Sequence, residues 1–339
     1  MSVTKLKSFV AGALLSVLSG AAAFAQPTHY PLTLENCGVK VTFDKAPQRA
    51  VALGQNTAEI LLMLGLEDRV KASAFWPTKV LPELEKANEK VKLLTVEMPT
   101  LESILAEKPD FVAAQLPILL GPDSKVAKRD DLAQLGIPSY LSPGVCATKK
   151  TTGDVYGSRD ALWNMNLLYQ EIDELSQIFD VADRGQALIA SFKAREAALK
   201  ERVKGTKDLS FVFWFSSSSP SADAYVGGKN SASGYIAHLL GGHNAITTEA
   251  EWPTVSWEGI ISANPEVIVA ASLDRNRWSL DKAENKIAFL KSDPAVSQLP
   301  AVKENHIVVM DGQAMNPTIR TIYGAEQVAD QLAKQGLIQ

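Results

Sequence analysis

SWEGIISANPEVIVAA, residues 256–271, is matched without a gap by TLESILAEKPDFVAA, residues 100–114, at an offset of 156 positions. Thr100 takes the place of Ser256, Glu102 of Glu258, Ile104 of Ile260, Pro109 of Pro265 and Asp110 of Glu266. Each copy reads as a short helix feeding a buried strand. A Thr or Ser hydroxyl can accept the first free amides of a helix, and an acid two positions on sits where the helix dipole favours negative charge. The proline then stops the helix, and the apolar runs Phe111–Ala114 and Val267–Ala270 suit strands of a parallel sheet covered on both faces.

A weaker echo joins Gln55–Gly65 to Lys229–Gly241, each a polar loop entering an apolar helix that ends at glycine. Strand and helix patterns alternate on both sides of a long helical stretch, residues 158–204, which breaks around Asp180–Asp183. The second part of that stretch carries Leu188, Phe192, Leu199 and Val203 on roughly one face. About 20 residues of helix span roughly 30 Å, enough to join two bodies stiffly. The fold expected is α/β, two α/β lobes joined by one long helix, with boundaries at 26–182, 183–204 and 205–339.

The chain has 339 residues and opens with Lys5, Lys7, an apolar run over 9–18 and Ala23-Phe24-Ala25 before Gln26. That pattern is a secretory signal with a small-residue cleavage site, residues 1–25. No cysteine follows the apolar run, so no lipid anchor is expected, and the mature chain is expected in the periplasm. Removing two lysines and no acid takes the formal net charge from −4 to −6. A nucleic-acid partner would call for a clustered basic face, which is absent. The two cysteines, Cys37 and Cys146, are expected to pair in an oxidising compartment; the alternative is two buried thiols.

Together, APQRAVALGQNTAEILLMLGLEDRV (46–70), PTLESILAEKPDFVAA (99–114), the long helix and EWPTVSWEGIISANPEVIVAAS (251–272) resemble the substrate-binding proteins of iron-siderophore, haem and cobalamin ABC importers. The resemblance runs from about residue 30 to about residue 335. It implies a ligand cleft between two lobes that close little, a monomeric carrier, and a permease dimer in the inner membrane as partner. It also implies that Glu102 and Glu258, one per lobe, form salt bridges with permease arginines, and that Trp252 lies on a cleft loop.

Open α/β sheets bind ligands beyond the carboxyl ends of their strands. That rule selects Gln55, Asn56, Phe75, Trp76 and Gln115 on the first lobe. On the second it selects Trp214, Phe215, Arg275, Arg277, Trp278, Met315 and Asn316, with Trp252 added by the resemblance. Aromatic walls with a few arginines and amides suit a large chelate, since arginine can meet carboxylate or catecholate oxygens with two donors. For Phe75, Trp214 and Phe215 the competing reading is plain core, and for the arginines solvated surface. His29, His238, His243 and His306 are too scattered for a bare metal site, so iron is expected only inside a bound chelator and no cofactor of the protein's own is expected. Neither a nucleophile elbow nor a glycine-rich nucleotide loop occurs, which leaves a secreted α/β enzyme as the reading from another class. A ferric siderophore is the ligand expected, with cobalamin or haem as alternatives on the same scaffold.

Overall fold

A computed structural model describes residues 26–147, 149–150 and 157–339; the signal expected over 1–25 lies outside them. The first lobe opens with an antiparallel hairpin, β1 (Leu32–Asn36) and β2 (Val39–Phe43), which turns at Cys37 and Gly38, both in the left-handed region. There follow β3 (Ala50–Leu53), α1 (Gln55–Met63), β4 (Val70–Ala74), β5 (Lys92–Thr95), α2 (Leu101–Ala106), β6 (Phe111–Ala114), α3 (Arg129–Gln134) and β7 (Ser139–Leu141). The five strands β3–β7 form a parallel sheet in the order β5-β4-β3-β6-β7. Every residue of the central strands β3 and β6 is buried, because helices cover both faces; this is why neither alternates polar with apolar.

Two helices follow, α4 (Asn166–Ile178) and α5 (Ala182–Arg202), with Asp180 in the left-handed region between them. Helical structure thus starts at 166 rather than 158. The two helices pack so closely at Gly185 that a Cβ there would lie 2.2 Å from Ser176 Oγ.

In the second lobe come β8 (Ser210–Ser216), β9 (Ala224–Val226), α6 (Ala232–Leu239), β10 (His243–Asn244), β11 (Thr254–Val255), α7 (Trp257–Ala263), β12 (Val267–Ser272), α8 (Ala283–Ser292), β13 (Ile307–Asp311) and α9 (Arg320–Lys334). Their sheet runs β11-β9-β8-β12-β13, with β10 beside the start of β8. The β8, β12 and β13 core is parallel, whereas β9 is antiparallel to both its neighbours. The long helix α5 touches both lobes. Arg184 donates to the carbonyls of Leu64 and Gly65, while Arg195 and Arg202 pair with Glu326 and Asp330 on α9.

The repeated stretches occupy equivalent places. Thr100 accepts from Ser103 N at 3.2 Å and Ser256 from Gly259 N at 3.2 Å, each capping its helix. Lys108 and Asn264, just before the prolines, both take positive φ. The acid after each proline fastens the strand that precedes the repeat in its sheet. Asp110 accepts from the amides of Gln48 and Arg49 ahead of β3, and Glu266 from that of Ser210 at the start of β8. In the first lobe a disulfide between Cys37 and Cys146, 109 positions apart, ties the hairpin turn to the segment after β7.

Candidate functional site

Between the lobes lies a cavity of about 260 Å³, lined from both sides and largely by residues at or just beyond strand ends. Phe75 enters from the end of β4 in the left-handed conformation, and Pro77, Gln115 and Leu116 complete the first-lobe side. Phe215, Tyr225, Trp252, Arg275, Arg277, Trp278, Gln313 and Asn316 form the second-lobe side. The second-lobe rings form two pairs: Phe215 meets Trp252 edge-on at 4.9 Å, and Tyr225 stacks on Trp278 at 6.0 Å. Arg275 lies 5.3 Å from the Phe215 ring centroid and 5.4 Å from that of Trp278. Arg277 reaches across to Glu97 of the first lobe at 3.4 Å.

Below the cavity floor a buried polar chain joins the lobes. Gln115 Oε1 accepts from Asn56 N at 3.0 Å, an approach possible because residue 54 is glycine: a Cβ there would sit 2.5 Å from the Gln115 Cβ. Asn56 Oδ1 accepts from Ile319 N of the second lobe, and Asn56 Nδ2 donates to Glu171 on α4 at 3.4 Å. Ser142 Oγ donates to the same carboxylate at 2.5 Å. Glu171 is fully buried, and burial, reinforced by Glu174, pushes its carboxyl up to about 8 against the opposing bonds from Ser142 and Asn56. Beside this chain Glu59 on α1 accepts from Arg320 Nε at 2.9 Å, and Arg320 also pairs with Asp311.

Five of the residues selected from the sequence do not line the cavity, and each is corrected by its surroundings. Trp214 points to the opposite face of β8 from Phe215, because successive strand side chains alternate; it packs against Trp257 at 4.8 Å and Phe289 at 5.8 Å. Trp76 is in the first lobe's core, since the left-handed turn at Phe75 sends only that ring into the cleft. Met315 is fully buried under α9 in the core, and its neighbour Asn316 lines the cavity instead. Gln55 and Asn56 are consumed internally. Gln55 donates to Glu59 and the Lys79 carbonyl and accepts from Thr78, while Asn56 belongs to the interlobe chain. Phe75, Gln115, Phe215, Trp252, Arg275, Arg277, Trp278 and Asn316 do line it.

Sequence reasoning missed Pro77, Leu116, Tyr225 and Gln313. Leu116 follows Gln115 directly and Gln313 stands in the turn after β13, so the strand-end rule applied more widely would have included both. Tyr225 had no such signal, because it lies within a short antiparallel strand rather than beyond the end of a parallel one. The carboxylates of Glu102 and Glu258 are exposed in the first turns of α2 and α7 and have no hydrogen-bond or ion-pair partner among the described residues. No group of three His, Cys, Asp or Glu side chains among the described residues is placed to hold a metal ion. No helix among them is long and apolar enough to cross a membrane.

Residues 51–314 match the family model described as periplasmic binding protein. A vitamin B12-binding protein of Vibrio campbellii is 31% identical over 286 residues, which cover 84% of this chain and 88% of that one. Among solved structures, a periplasmic binding protein from Veillonella parvula superposes with a TM-score of 0.74 at 23% identity, covering 89% of this chain and 97% of that one. An ABC-type Fe3+-hydroxamate transport protein from Saccharomonospora viridis superposes with a TM-score of 0.70 at 24% identity, covering 90% and 99%. At these identities the two structures speak for the fold.

Proposed function

Because the chain belongs to the periplasmic binding protein family of ABC importers, we propose that it captures a corrinoid in the interlobe cleft and delivers it to an inner-membrane permease. The observation that carries this reading is the aromatic lining of the cavity, in which the pairs Phe215–Trp252 and Tyr225–Trp278 flank Arg275 on one lobe and Phe75 stands on the other, with Gln115, Gln313 and Asn316 among the lining residues. A corrin presents a broad flat face and an amide-bearing rim, which matches rings flanked by amides. Similarity to a vitamin B12-binding protein over most of both chains supports the same ligand class. A ferric siderophore, the ligand expected from the sequence, is kept as a second reading because Arg275 and Arg277 both reach the cavity.

Carriage is the role that fits a periplasmic binding protein. Glu102 and Glu258 dock the permease dimer, one acid for each half, from matching positions on the two lobes. With residues 1–25 removed on export, the protein works as a soluble periplasmic monomer.

Tryptophan fluorescence titrated with cyanocobalamin, haemin and a ferric tris-catecholate tests the ligand. Cyanocobalamin is expected to bind tightest, to raise the melting temperature and to be recovered unchanged. Tighter binding of the ferric chelate would transfer the assignment to the siderophore reading, and tighter binding of haemin would remove both.

A further inference from the structure

One fully buried carboxylate, Asp281, lies directly behind the second-lobe wall of the cleft. Its Oδ1 accepts from Ser216 Oγ at 2.7 Å and Arg275 Nη2 at 3.2 Å. Its Oδ2 accepts from Arg275 Nε at 3.1 Å and from the amides of Arg277 at 3.2 Å and Trp278 at 3.1 Å. These bonds tie the end of β8, where Phe215 sits, to the loop that carries Arg275, Arg277 and Trp278. An ionised carboxylate is acceptor-only with about four lone-pair sites, and here all are taken. Burial would raise the Asp281 carboxyl, but the bonds from Arg275, Ser216 and the Trp278 amide hold it below the usual carboxylate range. Lys286 lies against the same group and feels the charges of Asp281, Arg275 and Glu284. The Lys286 amine is buried, donates to the Ala271 carbonyl at 2.8 Å, and is pushed down to about 7 by that burial.

Resting on the corrinoid reading, we infer that Asp281 is a specificity-determining positioning residue: by neutralising Arg275 from behind, it makes the cleft wall discriminate against anionic ligands. Two of the five N–H groups of Arg275 are spent on Asp281 and its charge is balanced there, so an incoming carboxylate or catecholate meets a guanidinium already paired with an anion and lying between Phe215 and Trp278. Arg277 is compensated separately by Glu97. A cleft whose two arginines are both paired suits cyanocobalamin, which is neutral overall, better than haemin, with its propionates, or a ferric tris-catecholate.

The test is the ratio of affinities measured on the full mature protein. Asp281→Asn keeps the shape but frees the Arg275 charge, and it is expected to move the haemin-to-cyanocobalamin affinity ratio at least tenfold toward haemin, with the gain weakening as salt is raised. Arg275→Gln, which leaves Asp281 uncompensated, is expected to move the ratio the other way and serves if Asp281→Asn does not fold. Loss of affinity for both ligands by the same factor, leaving the ratio unchanged in the variant that folds, would show a purely structural role and overturn the inference. If the unaltered protein instead prefers the ferric chelate, the corrinoid reading fails by itself, while the variants' ratio still decides the role of Asp281.

Discussion

Glu171 shows how one residue couples protonation to the junction of the lobes. Its carboxyl, ordinarily near 4.5, stands at about 8 in the folded protein because burial outweighs the bonds from Ser142 and Asn56. A raised folded value means that the folded state holds the proton over a range where the unfolded chain has released it. This contribution to stability is therefore complete below about pH 4.5 and is lost as pH rises toward 8, with a slope of up to about 1.4 kcal/mol per pH unit. Glu171→Gln keeps the acceptor for Ser142 and carries no proton equilibrium. Urea unfolding at pH 5 and pH 8 should show the variant gaining stability relative to the parent at the higher pH; equal differences at both would refute the assignment. Trp252 acts at the same scale. It lines the cleft edge-on to Phe215, and aromatic groups in such positions carry a disproportionate share of binding energy. Trp252→Ala should weaken cyanocobalamin binding more than tenfold in the fluorescence titration, with the far-UV circular dichroism unchanged. Unaltered affinity would take Trp252 out of the site.

At the scale of elements, the β1–β2 hairpin stands apart from the five-stranded sheet and is held to the first lobe in part by the Cys37–Cys146 bond. Asn36 adds to the same junction, donating to the Leu141 carbonyl and accepting from its amide, while Arg129 donates to the Asn36 carbonyl. The bond closes a loop of over a hundred residues, so its removal should cost about 2–5 kcal/mol. Unfolding of the Cys37→Ser/Cys146→Ser variant, compared with the oxidised parent, measures this. A difference below about 0.5 kcal/mol would mean that the polar contacts hold the hairpin without the bond. The repeated helix-to-strand element also has an internal logic that its pattern alone concealed. Asp110 and Glu266 are not cleft acids; they cap the amides that open β3 and β8, and so set where each lobe's central strand begins.

At the scale of the whole molecule, two lobes sharing one repeat present Glu102 and Glu258 from matching helices, both exposed. Reversing both to lysine should leave cyanocobalamin affinity unchanged and abolish uptake in vesicles that carry the permease, with each single change causing a partial loss. Normal transport by the double variant would remove the docking role. The amino-acid sequence by itself determined the α/β class, the duplication, the helix that joins the halves and the loops nearest the cleft, because each rests on local periodicity and on the strand-end rule. Side-chain direction was decided only by tertiary structure. Phe215 and Trp214 are adjacent and equally aromatic, yet β8 turns one into the cleft and the other into the core. Gln55 and Asn56 stand at a strand end as the rule requires, but partners brought from Thr78, Glu171 and Ile319 use up their polar atoms. Asp281 gave no signal at all, since its role depends on Ser216, 65 positions away, meeting it beneath the loop that holds Arg275. Such pairings join residues remote in the chain, and their physical cause is the packing of β8 beside β12, which no local pattern records.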